Sequence, residues 1–84
     1  MKYDFSEQAF EEYVSRPSRP ILKRINALLR DIARNGNTGI GKPEALRGNL
    51  AGYWSRRIYD EHRLIYRVEN NVCEIYQCRG HYDD

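Results

Sequence analysis

The chain has 84 residues, 10.0 kDa, 40% hydrophobic and 31% charged residues. That is enough for one small domain over 1–84. It is too apolar for a disordered tail and too short for a large cofactor-binding fold. No apolar run approaches the ~20 residues that span a bilayer, and no basic segment precedes an apolar leader, so the expected setting is cytoplasmic, with no membrane partner. The net charge is only +2 but unevenly spread. Residues 1–15 carry one Lys against four acids, 16–67 carry twelve Lys or Arg against four acids, and 68–84 carry one Arg against four acids. Eleven of the fourteen basic residues are Arg, whose forked donors suit phosphate. A basic middle of this kind points to a polyanionic partner on one face.

Lys2 to Phe5 alternates polar and aromatic residues and predicts a first strand. Ser6 can cap a helix in which Phe10, Tyr13 and Val14 share a face. Pro17 and Pro20 end that helix, and Ser18 starts another. In it Ile21, Leu22, Ile25, Leu28, Leu29 and Ile32 recur at helical spacing, with Lys23, Arg24, Arg30 and Arg34 on the other side. Asn35-Gly36 closes it, because Gly accepts a positive φ. Residues 36–43 form a glycine-rich loop that lacks the spacing of a nucleotide-binding P-loop. Strands are expected over 50–58, 63–69 and 72–79, with turns at 59–62 and at Asn70-Asn71.

A two-residue turn at Asn70-Asn71 sets Val68 against Cys73, Tyr66 against Ile75 and Arg67 against Glu74. Two apolar pairs on one face and an opposite-charge pair on the other favour this register. Arg67 is thereby assigned to Glu74 rather than to a phosphate. Cys73 and Cys78, if on one strand, lie ~17 Å apart on opposite faces and cannot pair. Two cysteines and two scattered histidines lack the spacing of a zinc site, so no metal and no cofactor are expected.

The candidates for chemistry are Lys42, Glu44, Arg56, Arg57, His62, Arg63, His81 and Tyr82. Glu44 lies where the glycine-rich loop enters the sheet, a place from which a carboxylate can act as general base. His62 falls in a charged turn and reads as solvated. His81 can donate a proton near neutral pH. Arg56 and Arg57 point to opposite faces, so at most one faces the site. If the turn spans 59–61, Arg57 stands opposite Arg63, and two guanidinium groups side by side call for an anion between them. A base, an arginine cluster and an imidazole suit RNA cleavage without metal, in which a ribose 2′-OH attacks the adjacent phosphate.

These residues also carry a resemblance. Gly41-Lys42-Pro43-Glu44, the run from Leu50 to Ile58 containing Trp54-Ser55-Arg56-Arg57, Glu61-His62-Arg63-Leu64 and the late His81-Tyr82 resemble the Txe/YoeB toxins of the RelE/ParE superfamily. The resemblance implies an α+β, compact RelE-like fold with two N-terminal helices packed on a twisted antiparallel β-sheet. It implies the toxin of a type II toxin–antitoxin system. The implied activity is that of a ribosome-dependent mRNA endoribonuclease, or mRNA interferase, that inhibits translation. Carried over by motif, Glu44 is the general base, Arg63 stabilises the transition state and His81 is the general acid. Arg57, Arg56, Lys42 and Tyr82 contact RNA or phosphate. The implied partners are a YefM-like antitoxin, the 70S ribosome and mRNA, with a homodimer also open. Two positions depart from the family pattern. Gly80 stands where an aromatic residue usually precedes the His-Tyr pair, and Asp83-Asp84 follow that pair. The competing reading is a superfamily relative that acts by protein binding, as the ParE branch acts on gyrase.

Overall fold

A computed structural model describes residues 1–15 and 17–78. Strand β1 (Lys2–Phe5) leads into helix α1 (Glu7–Val14), then helix α2 (Arg19–Asn35), and strands β2 (Glu44–Ala45), β3 (Trp54–Tyr59), β4 (His62–Glu69) and β5 (Val72–Gln77). The five strands form one sheet in the order β1-β5-β4-β3-β2. Strands β2 to β5 pair antiparallel, while β1 joins β5 in parallel at the edge, with Tyr3 beside Cys73 and Phe5 beside Ile75. The architecture is the expected α+β one, with this parallel edge added to the antiparallel sheet.

The α2 face built from Ile25, Leu28, Leu29 and Ile32 is buried against Ile58, Leu64, Tyr66, Cys73 and Ile75. Apolar area leaving water on both surfaces drives that contact. Pro20 sits in the first turn, although the Ser18 side chain makes no capping bond. Gly36 closes the helix at φ 65° with its N–H on the Ile32 carbonyl. In α1 the Ser6 Oγ accepts from Ala9 N at 3.0 Å, as a cap should. The inward residue, however, is Ala9, with Tyr13 partly buried behind it, whereas Phe10 and Val14 are exposed. A small side chain lets α1 approach β5 closely: the Cys78 N–H bonds Glu12 Oε1 and the Cys78 thiol donates to the Ala9 carbonyl.

The β4–β5 register is the expected one at Val68–Cys73, Tyr66–Ile75 and Arg67–Glu74, around Asn70 and Asn71 at φ 52° and 60°. Arg67 bonds the Glu74 carboxylate at 2.6 and 2.9 Å. One residue further the register slips, so that Ile65 faces Gln77 and Tyr76 is an extra residue. This bulge overturns the expectation that the two cysteines lie on opposite faces, while the expectation that they do not pair holds. It shifts the alternation by one, so Cys73 and Cys78 both enter the same core, each as a free thiol.

The expected strand over 50–58 begins only at Trp54. Residues 48–50 form a single 3-10 turn, and Gly48 and Gly52, both at positive φ, interrupt the extended chain. His62 belongs to β4 opposite Tyr59 and is half-buried, not a solvated turn residue. Asn70-Asn71 and the turn at Asp60-Glu61 fall where expected, the latter with a register shift between Arg57 and Tyr59.

Arg56 requires a larger correction. Its side chain is 0% exposed and lies on the helix side of the sheet, bonded to Asp31, Tyr66 and three loop carbonyls. With its donors so engaged it cannot reach an RNA phosphate, and it leaves the set of expected RNA contacts.

Candidate functional site

Alternation along β3 sends Arg56 to the helices and Arg57 to the open face. There Arg57 stands directly opposite Arg63 of β4. The loop 36–43 then brings two further side chains to the same place. Gly41 lets it pass under the sheet edge: at φ 83° its backbone runs so close to Leu28 and the Arg57 carbonyl that a methyl group there would meet both. The Gly41 carbonyl accepts from Arg57 N at 2.7 Å. Lys42 follows at φ 51°, and Glu44 begins β2 opposite Ser55.

The outcome is an open cleft of about 490 Å³ lined by Lys42, Glu44, Ala45, Leu46, Arg47, Ser55, Arg57 and Arg63. Four cationic side chains and one carboxylate therefore share one cavity. Among the described residues, the ion pairs fall elsewhere, between Arg56 and Asp31 and between Arg67 and both Glu69 and Glu74. Arg63 is folded back on its own turn, with Nη1 donating to the carbonyls of Asp60 at 2.6 Å and His62 at 3.2 Å. Asp60 thus holds Arg63 through its backbone and not through its acid. A cleft of this composition suits an anion, and a carboxylate beside it is placed to take a proton from a group held there.

Of the residues singled out from the sequence, Lys42, Glu44, Arg57 and Arg63 converge here. Arg56 is buried behind the sheet, and His62 is not in the lining. His81 and Tyr82 lie outside the described residues. Arg47 and Ser55 line the cleft without having been singled out. Strand β2 is only two residues long, so nothing in its alternation indicates that Ser55 faces Glu44 or that Arg47 follows into the same cavity.

An arginine-rich cleft thus lies on one face of a two-helix, five-strand α+β fold. The model for the YoeB-like toxin of bacterial type II toxin–antitoxin systems matches residues 5–82, and the chain belongs to that family. The toxin YoeB of Streptomyces coelicolor is 48% identical over 84 residues, covering 98% of this chain and all of the relative. The toxin in a heterotetrameric YoeB–YefM complex from Staphylococcus aureus superposes with a TM-score of 0.89 at 49% identity, over 98% of both chains. A YoeB dimer from Staphylococcus aureus superposes with the same TM-score, identity and coverage.

Proposed function

We propose that this chain is a ribosome-dependent mRNA endoribonuclease that cleaves without a metal ion and is restrained by a YefM-like antitoxin. The observation that carries the reading is the convergence of Glu44 with Lys42, Arg57 and Arg63 in one cleft. Glu44 takes the proton of a ribose 2′-OH, and the freed oxygen attacks the adjacent phosphorus. Arg57 and Arg63 stabilise the negative charge of the pentacoordinate phosphorane. For Arg63 a phosphate oxygen replaces the neutral carbonyls it now holds, and a charged acceptor makes the stronger bond. Lys42 holds a flanking phosphate. His81 supplies the proton to the leaving 5′ oxygen, and Tyr82 positions the RNA, as the family resemblance implies.

The partners follow from the same charge pattern and from relatives found with YefM and as a dimer. Lys23, Arg30 and Arg34 are exposed on α2, and four more cations line the cleft on the other side of the sheet, a charge distribution suited to an acidic antitoxin segment. The decisive test adds the pure protein to mRNA-programmed ribosomes, with A-site codons exposed or occupied, and maps cuts by primer extension. Cleavage confined to exposed codons is the expected result. A folded protein that leaves mRNA intact and instead inhibits gyrase would establish the protein-binding reading.

A further inference from the structure

The Arg56 guanidinium is enclosed by one short stretch of chain. Nη2 donates to the carbonyls of Gly36 at 2.6 Å and Thr38 at 2.9 Å, and Nη1 to the carbonyl of Ile40 at 3.1 Å and to Asp31 Oδ2. Nε donates to the Tyr66 hydroxyl at 3.1 Å. Asp31, on α2, also accepts from the Ile40 N–H at 3.1 Å and from Asn35 Nδ2 at 2.8 Å. Gly39 passes so near the Asp31 carboxylate, at φ 125°, that a methyl group would collide with it. The loop 36–40 is therefore folded around a charge and not on an apolar anchor; its one large apolar residue, Ile40, is exposed.

This loop continues without a break into Gly41, Lys42 and Glu44. The strand that carries Arg56 also carries Arg57, whose N–H holds the Gly41 carbonyl. We propose that Arg56 and Asp31 are positioning residues for the cleft. By fixing loop 36–40 between α2 and β3, they set where Lys42 and Glu44 stand relative to Arg57 and Arg63. A lysine cannot replace Arg56 in this role, because its three donors on one nitrogen cannot reach acceptors arrayed around a plane. The role in catalysis rests on the cleavage reading; the role in loop geometry does not.

The test compares Asp31→Asn and Arg56→Lys with wild type and with Ile75→Val, a core change remote from the loop that serves as a stability control. All are assayed where circular dichroism shows them folded. In both loop variants, exchange of the amides in residues 36–45 should accelerate about tenfold or more while β4 and β5 amides keep their protection. In Ile75→Val the loop amides should keep wild-type rates relative to the core. On programmed ribosomes, kcat should fall by about 10²-fold with KM little changed, because a displaced base acts on the chemical step. Loop exchange at wild-type rates, or a kcat loss no greater than that of Ile75→Val, would overturn the proposal. Should wild type itself fail to cleave, the cleavage reading falls. The positioning role is then decided by loop exchange and by the NMR shifts of the Lys42 and Glu44 amides, which must move in Asp31→Asn and stay in Ile75→Val.

Discussion

Arg57 and Arg63 face each other across β3 and β4 on the open side of the sheet, and no carboxylate among the described residues forms an ion pair with either. Two like charges at directly opposed positions destabilise a sheet. An anion seated between them turns that repulsion into a binding contribution. Glu44 reaches the same cavity from β2, so the cleft combines clustered cations with a carboxylate.

Glu44→Gln keeps the size and hydrogen bonding of the side chain but removes its basicity. Cleavage on programmed ribosomes should slow by about 10²–10⁴-fold. Arg63→Ala should cost about 10²–10³-fold, as loss of an oxyanion-stabilising donor does. His81→Gln should fall in the same range as Glu44→Gln if the imidazole supplies the leaving-group proton. Single-turnover rates decide each case, and a Glu44→Gln protein as fast as wild type removes Glu44 from the mechanism.

Leu28 is fully buried, at the centre of the α2 face. Leu28→Ala should destabilise the fold by about 2–5 kcal/mol, as loss of a core leucine and the resulting cavity do. Urea denaturation followed by circular dichroism measures it.

Asp31 connects α2, the loop and Arg56. The hydrogen bond from Arg56 holds its carboxyl below the usual value of 3.8, with further help from the Ile40 N–H and Asn35. A lowered folded-state value means stabilisation that is complete above the ordinary carboxylate range and is lost as pH falls through the lowered one. Wild type should therefore lose stability on acidification below about pH 4 more steeply than Asp31→Asn. Parallel acid unfolding curves would show that this carboxylate does not contribute.

Cys73 is sealed in the core, and burial pushes its thiol up to about 12. The fold favours the neutral thiol. That contribution is present below the ordinary value of 9.0 and is lost as pH rises toward 12. Cys78 is buried as well. Neither should react with a thiol reagent at neutral pH until denaturant is added, and reaction of either in the native protein within seconds would contradict the placement.

The hairpin register was legible because two independent signals agreed: apolar pairs on one face and Arg67–Glu74 on the other. The bulge at Tyr76 was not, because one extra residue leaves the composition of the strand unchanged and only its pairing reveals it. The gathering of Glu44, Arg57 and Arg63 was partly legible, since the glycine-rich loop and the Arg57–Arg63 opposition both show in the chain. The burial of Arg56 was hidden for a different reason. Three of its acceptors are backbone carbonyls of residues 36–40, which any side chains there would carry. Arg56 and Arg57 are chemically identical neighbours on opposite faces, and the packing of α2 and loop 36–40 on one face assigns Arg56 to structure and leaves Arg57 to the cleft.

The central claim is that a ribose hydroxyl, activated by Glu44, is the nucleophile. The chemistry of the cut ends tests it most directly. Fragments from programmed ribosomes, resolved by mass spectrometry, should carry a 2′,3′-cyclic phosphate or 3′-phosphate on the upstream piece and a 5′-hydroxyl on the downstream one. An upstream 3′-hydroxyl with a downstream 5′-phosphate would mean that water made the attack, and the roles assigned to Glu44 and the facing arginines would be wrong.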